Sequence, residues 1–170
     1  QMDMIYTSAG TIIINSGTFE SGTPKWTLNC KDSAYKAGTA NIIVNGGTFV
    51  GYDPRNAENE GKGTSLVAEG VGVNSENGSF PAVPNMVAQI IAADGSSVQA
   101  YATLADAVKA AQAGQTVTLL TDVTENGIDI KKSLTIDFGG HTFTVEKPLV
   151  GSAGTETNGI RFLKNGNTTC

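Results

Sequence analysis

An internal repeat of 30 residues constrains the fold of this chain more than any other feature. The segment 12–19, Ile-Ile-Ile-Asn-Ser-Gly-Thr-Phe, returns at 42–49 as Ile-Ile-Val-Asn-Gly-Gly-Thr-Phe. Each copy is an apolar strand, a polar turn and the start of a second strand, and another strand-like stretch lies between the copies at 25–29. Because a fixed period of this length is typical of stacked repeats, the pattern predicts coils of two or three short strands joined by tight bends.

Asparagine occupies the bend of each copy, as Asn15 and Asn45. Asparagine accepts left-handed backbone angles and hydrogen-bonds to nearby backbone groups, and in stacked strands its side chains can form a ladder. Asn15 and Asn45 are therefore the candidates for a structural Asn ladder. The alternative interpretation is two independent hairpin turns.

The second half of the chain opens differently, with a strand at 87–92, a possible hairpin partner at 98–101 and then the one convincing helix. Thr103 is the predicted N-cap, with Asp106 as its capping-box partner, and Gly114 is the predicted stop. Four apolar residues then fall on one helical face: Leu104, Ala107, Val108 and Ala111. Short alternating strands follow. A helix in this place is expected to cap the exposed end of a solenoid.

Composition supports an all-β reading. The chain has 21 glycines among 170 residues and few aromatics, and Gly-rich turns between β-branched stretches suit many short strands. We therefore predict a right-handed parallel β-helix with one short capping α-helix near residues 103–113. Residues 1–84 and 85–170 form the two predicted modules, with a boundary near Pro84 to Asn85.

Net charge and cysteine count exclude several classes of function. The formal charge of −5 argues against nucleic-acid binding, which needs clustered Lys and Arg. No apolar run reaches the length that spans a membrane. Two cysteines, Cys30 and Cys170, are too few for a disulfide framework, and we expect Cys30 to be a small buried hydrophobe.

Several runs resemble a known kind of domain. The runs at 101–111 (Tyr-Ala-Thr-Leu-Ala-Asp-Ala-Val-Lys-Ala-Ala), 114–123 and 134–143 resemble the opening of pectate-lyase-like right-handed β-helix domains. The runs at 26–32 and 41–54, with Val-Ala-Glu-Gly-Val at 67–71, resemble the closing coils of such domains. These domains occur in surface proteins of gut bacteria and in their phages. The resemblance implies an extracellular, cell-surface or virion location.

The order of these runs is unusual, because the closing coils precede the opening cap. Either one β-helix ends near Pro84 and another begins, or the two halves join in space, within one chain or head-to-tail between chains. The second possibility predicts self-association, as a head-to-tail fibre or a homo-oligomer.

The chemistry-bearing residues give no catalytic pattern. Lyases of the fold just named typically use acidic Ca²⁺ clusters with an Arg or Lys base, but the two arginines, Arg55 and Arg161, have no dense acidic cluster beside them. Carboxylates recurring at about one per strand, Asp122, Asp129 and Asp137, are read as turn or exterior residues rather than a glycosidase pair. With one histidine, His141, no zinc site is expected. We predict no catalytic residue, no cofactor and no metal.

Aromatic residues offer one further site. Tyr35 and Tyr52 flank polar loops and are the candidates for a sugar-contact surface. The favoured hypothesis is a non-catalytic structural or adhesive module of an extracellular surface protein, fibre or phage particle, which assembles through its solenoid ends. The alternative is a polysaccharide-binding or polysaccharide-cleaving domain, with surface glycans as partners.

Overall fold

The computed structural model describes residues 3–92, 94 and 98–147, together with the backbone of residues 160–163. The chain divides into two units, Gln1–Pro84 and Asn85–Cys170. The strands of the first unit are β1 (Ile5–Thr7), β2 (Gly10–Ile14), β3 (Thr18–Glu20), β4 (Leu28–Cys30), β5 (Ala40–Val44), β6 (Gly47–Val50), β7 (Val71–Val73) and β8 (Ser79–Pro84). Its helices are α1 (Asp32–Lys36) and two 3₁₀ turns, Pro24–Trp26 and Glu58–Glu60.

The strands of the second unit are β9 (Ala88–Ile91), β10 (Val98–Tyr101), β11 (Thr116–Leu119), β12 (Val123–Glu125), β13 (Leu134–Asp137), β14 (Phe143–Val145) and β15 (Ile160–Leu163). Its helix is α2 (Leu104–Ala110). The apolar pair Leu149–Val150 predicts a further weak strand, but this pair and Cys170 lie outside the described residues.

Two layers of strands make up the first part of unit 1: an outer layer of β1, β2 and β3 and an inner layer of β4, β5 and β6. Strands β1, β2 and β3 follow one another in the chain and pair in parallel with β4, β5 and β6 respectively. The 30-residue repeat sets the register of two of these pairs, so that Ile12 lies beside Ile42 and Phe19 beside Phe49. The two phenylalanine rings are stacked, with centroids 4.9 Å apart and an interplanar angle of 14°. The two copies therefore pack against each other and are not independent hairpins.

The remainder of unit 1 returns antiparallel. Strand β8 pairs with β6 and with β7, and both pairs are antiparallel. The sheet order is β3-β6-β8-β7. A single parallel bridge, Val44 to Val67, continues the sheet of β2 and β5. Apolar side chains from these elements form one core cluster, which includes Leu28, Ile42 and Phe49.

Unit 2 is built on a mixed sheet. Its order is β10-β9-β11-β13-β15, with antiparallel pairs at β10-β9 and β9-β11 and parallel pairs at β11-β13 and β13-β15. Strands β12 and β14 form a separate parallel pair. A second core cluster, which includes Ile90, Val117 and Ile136, fills this unit.

Helix α2 begins where the sequence predicts it. Thr103 Oγ1 accepts a hydrogen bond from Asp106 N at 3.0 Å, as expected for an N-cap. The Glu125 carboxylate also accepts from Leu104 N at 2.8 Å and Ala105 N at 3.1 Å. Each of the four residues on the predicted apolar face is buried. The short helix α1 is not predicted from the sequence.

The prediction of a right-handed parallel β-helix is wrong. None of the sheets in the described part of the chain forms a solenoid: the sheets are small, and the larger ones are mixed. A solenoid requires each coil to pair in parallel with the next, whereas here the chain reverses after β6 and β8 returns antiparallel. In unit 2 the hairpin of β9 and β10 breaks parallel pairing in the same way. The described residues form mostly small sheets with few helices.

The two stacked phenylalanines give a matched test of this packing. Phe49 is fully buried, whereas Phe19 is half-buried in the outer layer. We expect Phe49→Ala to lower the free energy of unfolding of unit 1 by about 3–5 kcal/mol, because it leaves a cavity in the core. Phe19→Ala should cost clearly less. Urea unfolding followed by the fluorescence of Trp26, the only tryptophan, measures both, and equal losses would contradict the layer assignment.

Candidate functional site

One side of unit 1 is an open strand edge. Strands β1, β2 and β3 each lie at the end of their sheet, and each has a single strand partner within the described residues. We call the unpaired side of these three strands the open edge. Because an unprotected edge presents unpaired backbone N–H and C=O groups, it can accept a further strand.

Burial changes from one layer to the next along each register pair. Leu28, Ile42 and Phe49 in the inner layer are almost completely buried, at 0%, 1% and 0% exposure. Their outer-layer partners, Ile5, Ile12 and Phe19, are only half-buried. The core of unit 1 therefore continues to the open edge, where its outermost members are partly exposed.

Exposed apolar side chains also gather in the outer layer. Among the described residues, the large apolar side chains that are exposed are Met4 (44%), Tyr6 (49%) and Ile13 (56%). Charged side chains, which commonly protect edge strands, are missing from the sequence between Thr7 and Phe19. The open edge is therefore apolar along β2.

In contrast to the open edge, the side of the inner layer that faces away from the outer layer is covered by other segments of unit 1. Val44 N donates to Leu66 O at 2.8 Å, and Ala68 N donates to Val44 O at 2.9 Å. Strand β8 covers β6, and the Glu60 side chain accepts from Cys30 N in β4 at 2.7 Å. Each inner strand thus has partners on both sides.

The candidate ladder residues meet across the two layers. Asn45 Nδ2 donates to Asn15 Oδ1 at 3.0 Å. Asn15 is exposed, and Asn45 is half-buried beneath it. Gly46 follows Asn45, and a side chain there would collide with the Asn15 carbonyl oxygen. Ser16, the equivalent residue of the outer copy, is exposed.

Glu60 is the ionisable group whose position departs most from the sequence-based interpretation, which placed Glu58 and Glu60 in a solvated loop. The polar composition of residues 53–62, with Pro54 and Gly61, predicts a surface loop. The Glu60 side chain nevertheless turns back and accepts a hydrogen bond from Cys30 N. Burial raises the pKa of Glu60, the Asp32 charge adds to the rise, and the bond from Cys30 N opposes it. Burial and the Glu60 charge raise the pKa of the Cys30 thiol to about 11. Cys30 is therefore a protonated, buried thiol at neutral pH, unsuited to nucleophilic work.

The two candidate sugar-contact tyrosines lie in different surroundings. Tyr52 is buried at 5% exposure with its ring 6.1 Å from that of Phe49, so it does not contribute to an exposed surface. Burial, followed by the charges of Glu60, Cys30 and Asp53, raises its pKa. Tyr35 is half-exposed and lines a pocket of about 150 Å³. The other residues around the pocket are Asp32, Lys36, Glu58, Asn59, Glu60 and Gly61.

The scattered carboxylates bond locally. Asp122 Oδ1 accepts from Thr142 N at 2.7 Å, Asp137 Oδ1 accepts from Gly139 N at 2.9 Å, and Asp129 pairs with Lys131 at 3.0 Å. His141 Nδ1 lies 3.8 Å from Asp122 Oδ1. Asp137 ends β13, Asp122 directly precedes β12, and Asp129 lies in the loop between β12 and β13.

Of the two arginines, Arg55 pairs with its neighbour in the chain. Its Nε and terminal nitrogen donate to the two carboxylate oxygens of Asp53 at 2.9 and 2.6 Å. The Arg161 side chain lies outside the described part of the structure. No group of three or more His, Cys, Asp or Glu residues that could hold a metal ion occurs among the described residues.

No helix in the described residues is both long and apolar enough to cross a membrane. No protein-family model, curated protein or solved structure matches the chain. Function therefore has to be inferred from the geometry of the two units, of which the open edge is the most distinctive feature.

The raised pKa of Glu60 predicts that the free energy of unfolding of the chain falls as the pH rises. Because the folded chain holds the Glu60 proton more tightly than the unfolded chain does, the contribution of this group to stability is present at low pH and is lost as pH rises through the raised pKa. Glu60→Gln keeps an acceptor for Cys30 N and avoids burying a charge. We expect its gain in Tm over the wild-type chain to be larger at pH 7 than at pH 4.

Glu60→Ala serves as the contrasting variant in the same thermal unfolding series. It leaves Cys30 N without its acceptor, which costs about 1–3 kcal/mol, so its Tm should fall at both pH values. A Gln variant whose Tm difference from wild type is the same at pH 4 and pH 7 would contradict the assignment.

Proposed function

We propose that this chain is a non-catalytic structural or adhesive module of an extracellular surface protein, fibre or phage particle. It associates with further copies of itself by adding strands at the open edge. The observation that carries the proposal is the difference in burial between the two layers. Leu28, Ile42 and Phe49 are buried, whereas the outer-layer residues paired with them are only half-buried. A core that reaches an unpaired edge gains both apolar burial and backbone hydrogen bonds when another strand is added.

Support for a non-catalytic role comes from the state of the reactive groups. The Cys30 thiol is buried with a raised pKa, Arg55 is engaged by Asp53, and the carboxylates near His141 hold turns. Strand addition, by contrast, needs only backbone groups and apolar side chains. The open edge supplies both along β2.

A charge placed on the open edge should weaken self-association. Ile13 is 56% exposed in β2, and a lysine in an edge strand discourages further pairing. We expect Ile13→Lys to weaken self-association by roughly tenfold or more, which corresponds to about 1.4 kcal/mol. Light scattering coupled to size exclusion over a concentration series measures the change.

The matched control is Ala110→Lys, which adds the same charge at an exposed position of α2 in the other unit. It should leave the association constant unchanged. Equal weakening by both variants would indicate a nonspecific effect of charge and would remove the open edge from the proposal.

Glycan binding at Tyr35 is the second candidate function. The half-exposed ring lies beside a pocket with amide and carboxylate groups, and such sites combine an apolar platform with a few polar groups. The three acidic side chains favour a neutral oligosaccharide over an acidic one.

If this second function holds, Tyr35→Ala should weaken binding of neutral oligosaccharides at least about tenfold, the loss of roughly one stacking contact. Tyr101→Ala, a half-exposed tyrosine of unit 2, is the control and should bind as wild type does. Isothermal titration calorimetry measures both. Absence of binding by the wild-type chain would exclude the candidate.

A further inference from the structure

The two layers of unit 1 differ in what covers them: the outer layer ends in the open edge, whereas the far side of the inner layer is covered. This difference limits how copies of the chain can pair. The far side of the inner layer is occupied by Leu66, Ala68, strand β8 and Glu60. On that side, the backbone groups of Val44, the Cys30 N–H group and strand β6 are therefore already bonded within unit 1. Within unit 1, head-to-tail stacking would need a second, complementary end. The covered far side does not supply that end, whereas the same edge of a second copy can pair with the open edge.

Ser16 disfavours a parallel continuation of the layers. In the existing pair, the Asn15 carbonyl oxygen lies so close to Gly46 that any side chain at 46 would collide with it. A third layer stacked in the same parallel register would place an equivalent carbonyl against position 16. Position 16 is serine, whose Cβ would occupy that space. Gly46 thus permits the existing parallel pair of layers, whereas Ser16 disfavours a third layer in the same register.

The backbone of β2 offers the right groups for antiparallel pairing. Gly10 N donates to Thr39 O, and Ile14 O accepts from Asn45 N, so Gly10, Ile12 and Ile14 direct their backbone groups to β5. Alternation along a strand then directs those of Thr11 and Ile13 to the open edge. With two copies of β2 antiparallel and centred on Ile12, Thr11 of each copy faces Ile13 of the other as a hydrogen-bonded pair.

We infer that two copies of this chain associate through a two-fold axis at Ile12, with β2 of one pairing antiparallel with β2 of the other. This inference rests on the proposed function, and it specifies the partner as a second copy and the product as a closed dimer. Such an interface is isologous: the same surface of each copy takes part in it. Both open edges are then paired, so no further copy can be added there and the assembly ends at a dimer. The uncharged sequence from Thr7 to Phe19 means that no like charges oppose each other along β2.

Cysteine cross-linking tests the register. In the inferred dimer the two Ile12 residues face each other as a non-hydrogen-bonded pair with Cα atoms about 4.5 Å apart, within reach of a disulfide. The two Ile13 residues lie diagonally, more than about 7 Å apart. In a Cys170→Ser background we expect Ile12→Cys to form covalent dimers on mild oxidation and Ile13→Cys to form at least fivefold fewer.

The control is built into this pair, because Ile13 is exposed and Ile12 is half-buried. Cross-linking through random collision would favour Ile13→Cys, and that result, or equal yields, would overturn the register. Light scattering of the full chain supplies a second measurement that needs no variant. A mass of two chains that does not grow with concentration supports the inference.

The light-scattering outcomes also separate this inference from the proposed function. Species larger than a dimer that shrink on Ile13→Lys would overturn the two-fold arrangement and leave assembly through the open edge in place. A single-chain mass at every concentration would overturn both.

Discussion

The in-register parallel pairing of the two copies of the repeat is the constraint on which the rest of unit 1 depends. It places Ile12 on Ile42, Asn15 beside Asn45 and Phe19 on Phe49. The layers can approach this closely because position 46 is glycine, beneath the Asn15 carbonyl oxygen. The interior made by these pairs is then completed by segments that come later in the chain, including Leu66.

The same repeat explains why a solenoid does not form. A stack of coils needs at least three repeats, and a third copy would fall at 72–79. The sequence there, Gly-Val-Asn-Ser-Glu-Asn-Gly-Ser, lacks the apolar triplet and provides a turn instead. Strand β7 therefore ends at Val73, and the chain returns as β8, antiparallel to β6. Two copies predicted the pairing of two layers correctly, but extending that pattern to a whole domain was wrong.

Features with local signals were predictable, and features that depend on distant contacts were not. Thr103 and the apolar face of α2 could be located because capping and helical periodicity act within a few residues. The approach of Asn15 and Asn45 followed from the fixed period. Glu60, by contrast, bonds to a strand 30 residues away, and no periodic signal marks it. Tyr52 borders a polar loop in the sequence, yet its ring packs next to Phe49 in the core.

The difference between the two copies also distinguishes the inner layer from the outer one. Where the outer layer packs on the inner one, Gly46 leaves room for the Asn15 carbonyl oxygen. On the far side of the inner layer, Leu66 and Ala68 bond to the backbone of Val44. In the outer layer, Ser16 stands at the position equivalent to Gly46, and Ile13 is exposed. Proteins commonly protect an edge with charge, proline or a bulge, but Gly10–Ile14 has neither charge nor proline. The open edge is apolar, Ser16 disfavours a further parallel layer on it, and no charge on β2 opposes pairing. Such an edge is suited to antiparallel pairing with the same edge of a second copy.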